Sequence, residues 1–183
     1  MKRRRTYASY WEFSDESARD KGIVARFVSS VGADVISIAP GTLHARGHDD
    51  PPDCEALATD GARVAFELSE IVDADAVRMH TQRRGLHFRE FTQSEFRTLL
   101  NARLEAKVRE EGELKGGPYA RRILLLHTDE GMLYPAFCEE ALELRPLLHF
   151  APWTDVFLIF PPPPHFDGTT TSHPRLCPVI RIQ

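Results

Sequence analysis

The chain has 183 residues, 42% of them hydrophobic, and 23 Lys plus Arg against 27 Asp plus Glu, for a formal net charge of −4. This length and apolar content suit one folded domain and exclude a disordered or collagen-like chain. Residues 43–75 carry 2 basic and 9 acidic side chains and residues 78–122 carry 11 and 6, so an acidic block of −7 precedes a basic block of +5.

The basic run Lys2 to Arg5 leads into polar and aromatic residues, not an apolar segment, so no secretory signal is read. No stretch approaches the ~18 apolar residues of a membrane helix. Cys54, Cys138 and Cys177 lie far apart without a C-x-x-C pair, which speaks against a disulfide framework and for a reducing, cytoplasmic setting. Ser14 or Asp15 caps a helix running to about Val31, because Ile23, Val24, Phe27, Val28 and Val31 recur at helical spacing and Gly32 follows. Asp34 to Ala39 reads as a short strand stopped by Pro40-Gly41. A polar loop with His44, His48, Asp49 and Asp50 comes next. Two strand-like runs, Asp53 to Ala58 and Ala62 to Ser69, flank Asp60-Gly61, a hairpin signal.

Beyond an irregular or helical stretch from Asp73 to Arg84, Thr92-Gln-Ser-Glu95 is a capping box that opens a long helix to about Glu111. Gly112, Gly116, Gly117 and Pro118 close it. Arg122 to His127 is a continuous apolar run, the mark of a buried strand. A helix is expected between Pro135 and Leu148, a second buried strand at Asp155 to Phe160, a stiff Pro161 to Pro164 segment, and a last strand within Leu176 to Ile182. The order predicts a single α/β domain over residues 1–183, a mixed sheet flanked by helices.

Turn length decides what the hairpin can do. With a three-residue loop, Thr59-Asp60-Gly61 and Gly61 left-handed, Cys54, Ala56, Ala58, Val64, Phe66 and Leu68 share one apolar face. Asp53 then stands across from Glu67, on the other face. A one-residue slip would mix the faces, so the three-residue loop is favoured. Two carboxylates roughly 5 Å apart at Cβ suit a hard cation such as Mg²⁺. On the long helix, at about 100° per residue, Lys107 and Arg103 fall within about 20° and about 60° of the centre of the apolar face formed by Phe96, Leu99, Leu100, Leu104 and Val108. A cation there needs a partner. On the first helix Asp20 and Glu16 intrude on the apolar face in the same way.

Pro52-Asp53, a strand, a tight turn and an apolar strand carrying Glu67-Leu68-Ser69 resemble the PD-(D/E)XK nucleases, the restriction-endonuclease-like superfamily. The resemblance covers about residues 12–128, with an α-β-β-β-α-β core order, and leaves 129–183 as a C-terminal α/β extension. It implies that Asp53 and Glu67, with the Leu68 carbonyl, bind Mg²⁺ or Mn²⁺ for phosphodiester hydrolysis, and that Glu16 or Asp20 adds a third acidic ligand. The motif lysine is replaced by Ser69. The superfamily lets that lysine migrate to the following helix, and Lys107 is the candidate. Arg83, Arg84, Arg103, Arg121 and Arg122 are the expected phosphate contacts.

The Ser69 replacement keeps open a catalytically inactive module of the same fold that binds a protein partner or nucleic acid. Weaker clusters are His44, His48, Asp49, Asp50 and Asp53 as a zinc site, and His127 with Asp129 as an acid/base pair. Neither has a fixed geometry in the sequence.

Overall fold

The computed structural model describes residues 15–47, 51–82, 90–110, 114–143, 150–162 and 176–182. The elements in chain order are α1 (Glu16–Val31), β1 (His44–Ala45), β2 (Cys54–Leu57), β3 (Arg63–Glu70), α2 (Ala74–Thr81), α3 (Gln93–Glu110), β4 (Arg121–His127), α4 (Pro135–Glu143), β5 (Asp155–Ile159) and β6 (Val179–Arg181). The six strands form one mixed sheet in sequence order. β1, β2 and β3 are antiparallel neighbours, β3, β4 and β5 run parallel, and β6 returns antiparallel on β5. β5 and β6, from the stretch expected as an extension, thus continue the same sheet.

Alternation along the strands divides the core in two. On one face Ile23, Val24 and Phe27 of α1 pack on Cys54, Val64, Phe66, Ile123, Leu125 and Phe157. On the other, Phe96, Leu100 and Leu104 of α3 and Cys138 and Ala141 of α4 pack on Leu124, Leu126, Val156 and Leu158. β4 and β5 are covered on both sides, which is why their sequences read as unbroken apolar runs.

The helix ends follow the local chemistry. Asp15 caps α1 by accepting from the Ala18 N–H at 3.3 Å. Thr92 and Glu95 form the reciprocal capping box: the Thr92 hydroxyl accepts from the Glu95 N–H at 3.2 Å, and the Glu95 carboxylate accepts from the Thr92 N–H at 2.8 Å. Thr92→Ala is expected to cost about 1 kcal/mol, read as a lower urea midpoint with unchanged slope.

The strand expected over Asp34 to Ala39 is corrected. This segment makes strand-type pairing with the sheet at a single Ile38–Ala58 bridge, with the Ala39 N–H on the Leu57 carbonyl and the Thr59 N–H on the Ser37 carbonyl. The turn at Pro40-Gly41 then carries the chain away, and the edge strand forms later, where His44 and Ala45 pair with Glu55 and Cys54.

Candidate functional site

The hairpin adopts the three-residue loop. Gly61 has φ +85°, its N–H reaches the Ala58 carbonyl at 2.9 Å, and the Ala58 N–H reaches the Ala62 carbonyl at 2.8 Å. Cys54 pairs with Phe66 and Ala56 with Val64. One step further in the same register Asp53 stands across from Glu67, and its Oδ2 accepts the Leu68 N–H at 2.7 Å.

Lys107 arrives from α3 on the same face of the sheet. Its Nζ lies 2.8 Å from Glu67 Oε1, and the two side chains are only 18% and 13% exposed. The cation on the apolar face of α3 and the acid on β3 therefore neutralise each other. Ser69, buried on β3, leaves that face to the helix lysine. The second oxygen, Glu67 Oε2, is buried without a hydrogen-bond partner.

Burial and the neighbouring Glu67 charge push Asp53 up to about 6, against the opposing pull of the Leu68 N–H; Asp20 raises it further and Lys107 lowers it. Asp20 is 8% exposed on α1, with Arg19 Nε at 2.8 Å. Burial, Asp20 and Asp53 also push the Cys54 thiol up, which makes it a poor nucleophile. The structure thus brings together Asp53, Glu67, Leu68, Lys107 and the field of Asp20.

Other expected site residues are placed elsewhere. Glu16 sits exposed in the first turn of α1, whereas Asp20, one turn deeper, is buried; among the described residues neither completes a three-carboxylate group with Asp53 and Glu67. Arg121 is no free phosphate contact: it bonds Asp155 at 2.7 Å and the Val35 carbonyl at 2.7 Å, and Arg181 shares the same carboxylate at 2.8 Å. Strand alternation puts Arg122 on the opposite, α3 side, half-buried. Arg103 lines a cleft of about 410 Å³ between α3 and the chain entering α2, beside Asp73, Phe91 and Ala106. Arg83 and Arg84 lie outside the described residues, as do His48, Asp49 and Asp50 of the zinc reading. His127 is buried at the end of β4.

A cluster not expected from the sequence surrounds Glu55. Its carboxylate meets the Tyr119 hydroxyl at 2.7 Å, Arg63 at 2.8 Å, Arg46 at 3.1 Å and His44 at 2.9 Å. Burial alone would raise Glu55; these hydrogen bonds outweigh it and hold the carboxylate at about 2.

A hard cation fits the Asp53–Glu67 pair chemically. Burial and the Glu67 charge raise the proton affinity of Asp53, and one buried oxygen of Glu67 lacks a donor. Among the described residues, no three His, Cys, Asp or Glu side chains are gathered closely enough to form a complete cation cage. No helix of the described residues is long and apolar enough to cross a membrane. Neither protein-family models, nor curated proteins, nor solved structures give a match to this chain.

Proposed function

We propose that the protein is a divalent-metal-dependent phosphodiesterase acting on nucleic acid, with a restriction-endonuclease-like core. The observation that carries this reading is the contact of Lys107 with Glu67 beside Asp53: a cation on the core face of α3 meets the second acid of the hairpin. Asp53, Glu67 and the Leu68 carbonyl would hold Mg²⁺ or Mn²⁺. A bound ion supplies charge neutralisation and a more acidic water at phosphorus.

The chain's own groups do the rest. Lys107 supplies the positive charge that Ser69 cannot, positioned where negative charge develops on the phosphoryl oxygens. The Leu68 N–H fixes the Asp53 carboxylate, so its free oxygen has one orientation. Leu104 and Phe96 of α3, packed in the core with Leu124 and Leu126, hold the helix that carries the lysine. Burial of both acids keeps water from screening them.

The direct test is Mn²⁺-dependent cleavage of single- and double-stranded DNA and RNA, beside Asp53→Ala. Cleavage by the wild type and at least a hundredfold loss in the variant are expected. A silent wild type, or a variant that cuts equally well, refutes the catalytic reading.

A second reading, a catalytically silent module of this fold for a protein partner or nucleic acid, is favoured by Ser69 and by the incomplete acidic cage. Calorimetry separates the two: no heat at millimolar Mg²⁺ or Mn²⁺ supports the module.

A further inference from the structure

The Glu55 cluster lies on the same sheet face as the Asp53–Glu67 pair and has no part in the proposed chemistry. Residues 53 and 55, and 63 and 67, share that face by alternation, and Glu55 pairs across from Ala65. Two residues along a strand span ~7 Å, so the two clusters are neighbours on this face.

Its construction is specific. Glu55 Oε2 accepts from Tyr119, Arg63 and Arg46 together. The Arg63 guanidinium lies 4.8 Å over the Tyr119 ring and also donates to the Gly116 carbonyl. Gly116 has φ +83°, and a Cβ there would collide with Arg46. The loop after α3 thus gives up a side chain so that a guanidinium can sit against it. Two guanidiniums are fixed on this one carboxylate, in the middle of the otherwise acidic block of residues 43–75.

We propose that Arg46 and Arg63 form a docking site for the phosphodiester adjacent to the one at Asp53 and Glu67, with Glu55 and Tyr119 as positioning residues. The proposal rests on the phosphodiesterase reading and names where the flanking strand is gripped. Arg63 is 36% exposed at its side chain. Its bonds to Glu55 and Gly116 leave Nε and one N–H on each terminal nitrogen for an anion. A planar fork held in place loses little freedom when it takes a phosphate bidentately. The contact is to backbone, so it positions the strand without reading sequence.

The test is fluorescence anisotropy of labelled single- and double-stranded DNA and RNA oligonucleotides with the full chain. It is run in EDTA across a salt series, so nothing depends on cleavage. Arg63→Gln is expected to lower the slope of log K against log salt by about one on every preferred probe, with affinity roughly tenfold weaker near 0.1 M salt. Arg63→Lys restores most of the slope but binds less tightly than the wild type, and Arg78→Gln, which removes an exposed charge on α2, keeps the wild-type slope. Thermal melts identify a variant that unfolds; Arg63→Lys then carries the comparison, through its affinity. Equal slopes for wild type and Arg63→Gln overturn the proposal, as does binding to anionic vesicles but to no oligonucleotide. Loss of cleavage with the slope effect intact would instead refute only the catalytic reading.

Discussion

Lys107→Met is expected to lower the unfolding free energy by about 3–5 kcal/mol, the cost of stranding one member of a buried ion pair. The pair is 2.8 Å long, with both side chains more than four-fifths covered. Methionine matches the lysine stem in length, so the loss comes from charge, not from a cavity. Glu67 would then keep a buried negative charge, one of whose oxygens already lacks a donor, with the Asp53 carboxylate beside it. The double variant Lys107→Met with Glu67→Gln removes both charges and should recover most of the loss, giving a coupling well above the 0.5 kcal/mol within which independent sites add. Urea unfolding of the four-member cycle measures it. A single variant within about 1 kcal/mol of wild type would mean that the pair is solvated and that Lys107 is held by something else. If the protein cleaves nucleic acid, the same substitution should cost about 10²–10³-fold in rate, the usual effect of losing one preorganised electrostatic contact.

This lysine was legible because helical periodicity exposes a misfit: a charge among Phe96, Leu100 and Leu104 demands a partner. The hairpin was legible for a different reason. Asp60-Gly61 and the alternation of apolar residues allow one clean register, and the pairing of Cys54 with Phe66 follows it. Asp20 and Glu16 show the limit of periodicity. Both project near the apolar face of α1, but the one near the helix end stays exposed and the one a turn deeper is covered.

The Glu55 cluster was not legible. Its partners come from β1's flank, from β3 and from the loop after α3, and no period links Arg46, Arg63 and Tyr119 along the chain. The partner of Arg121 was not legible for a simpler reason: strand alternation sends Arg121 and Arg122 to opposite faces and delivers Arg121 to the buried Asp155, far along the chain. The strand drawn at Asp34 failed because its hydrogen bonds to the hairpin end are those of a single bridge.

The second large effect concerns the acid that chemistry needs and the fold resists. Asp53→Asn is expected to abolish cleavage and, without divalent ions, to make the protein more stable at neutral pH. Burial and Glu67 raise the Asp53 pKa from 3.8 to about 6. A carboxyl whose pKa is higher in the folded chain favours folding while protonated, so stability is highest in acid, falls between about pH 4 and pH 6, and stays low above. At about 1.4 kcal/mol per pKa unit, the penalty near pH 8 is about 2–3 kcal/mol. Asparagine keeps an oxygen for the Leu68 N–H and carries no charge, so it avoids this penalty. The expected readout is a melting temperature higher by about 5–10 °C at pH 8, given ~2–4 °C per kcal/mol for a chain of this size, with the two proteins converging near pH 4. Millimolar Mg²⁺ or Mn²⁺ should raise the wild-type melting temperature and leave the variant unchanged, because only a ligand of the folded state stabilises it. A variant less stable than wild type at pH 8 would show that Asp53 is held by favourable contacts, and that the pair is a structural feature with no strain for a cation to relieve.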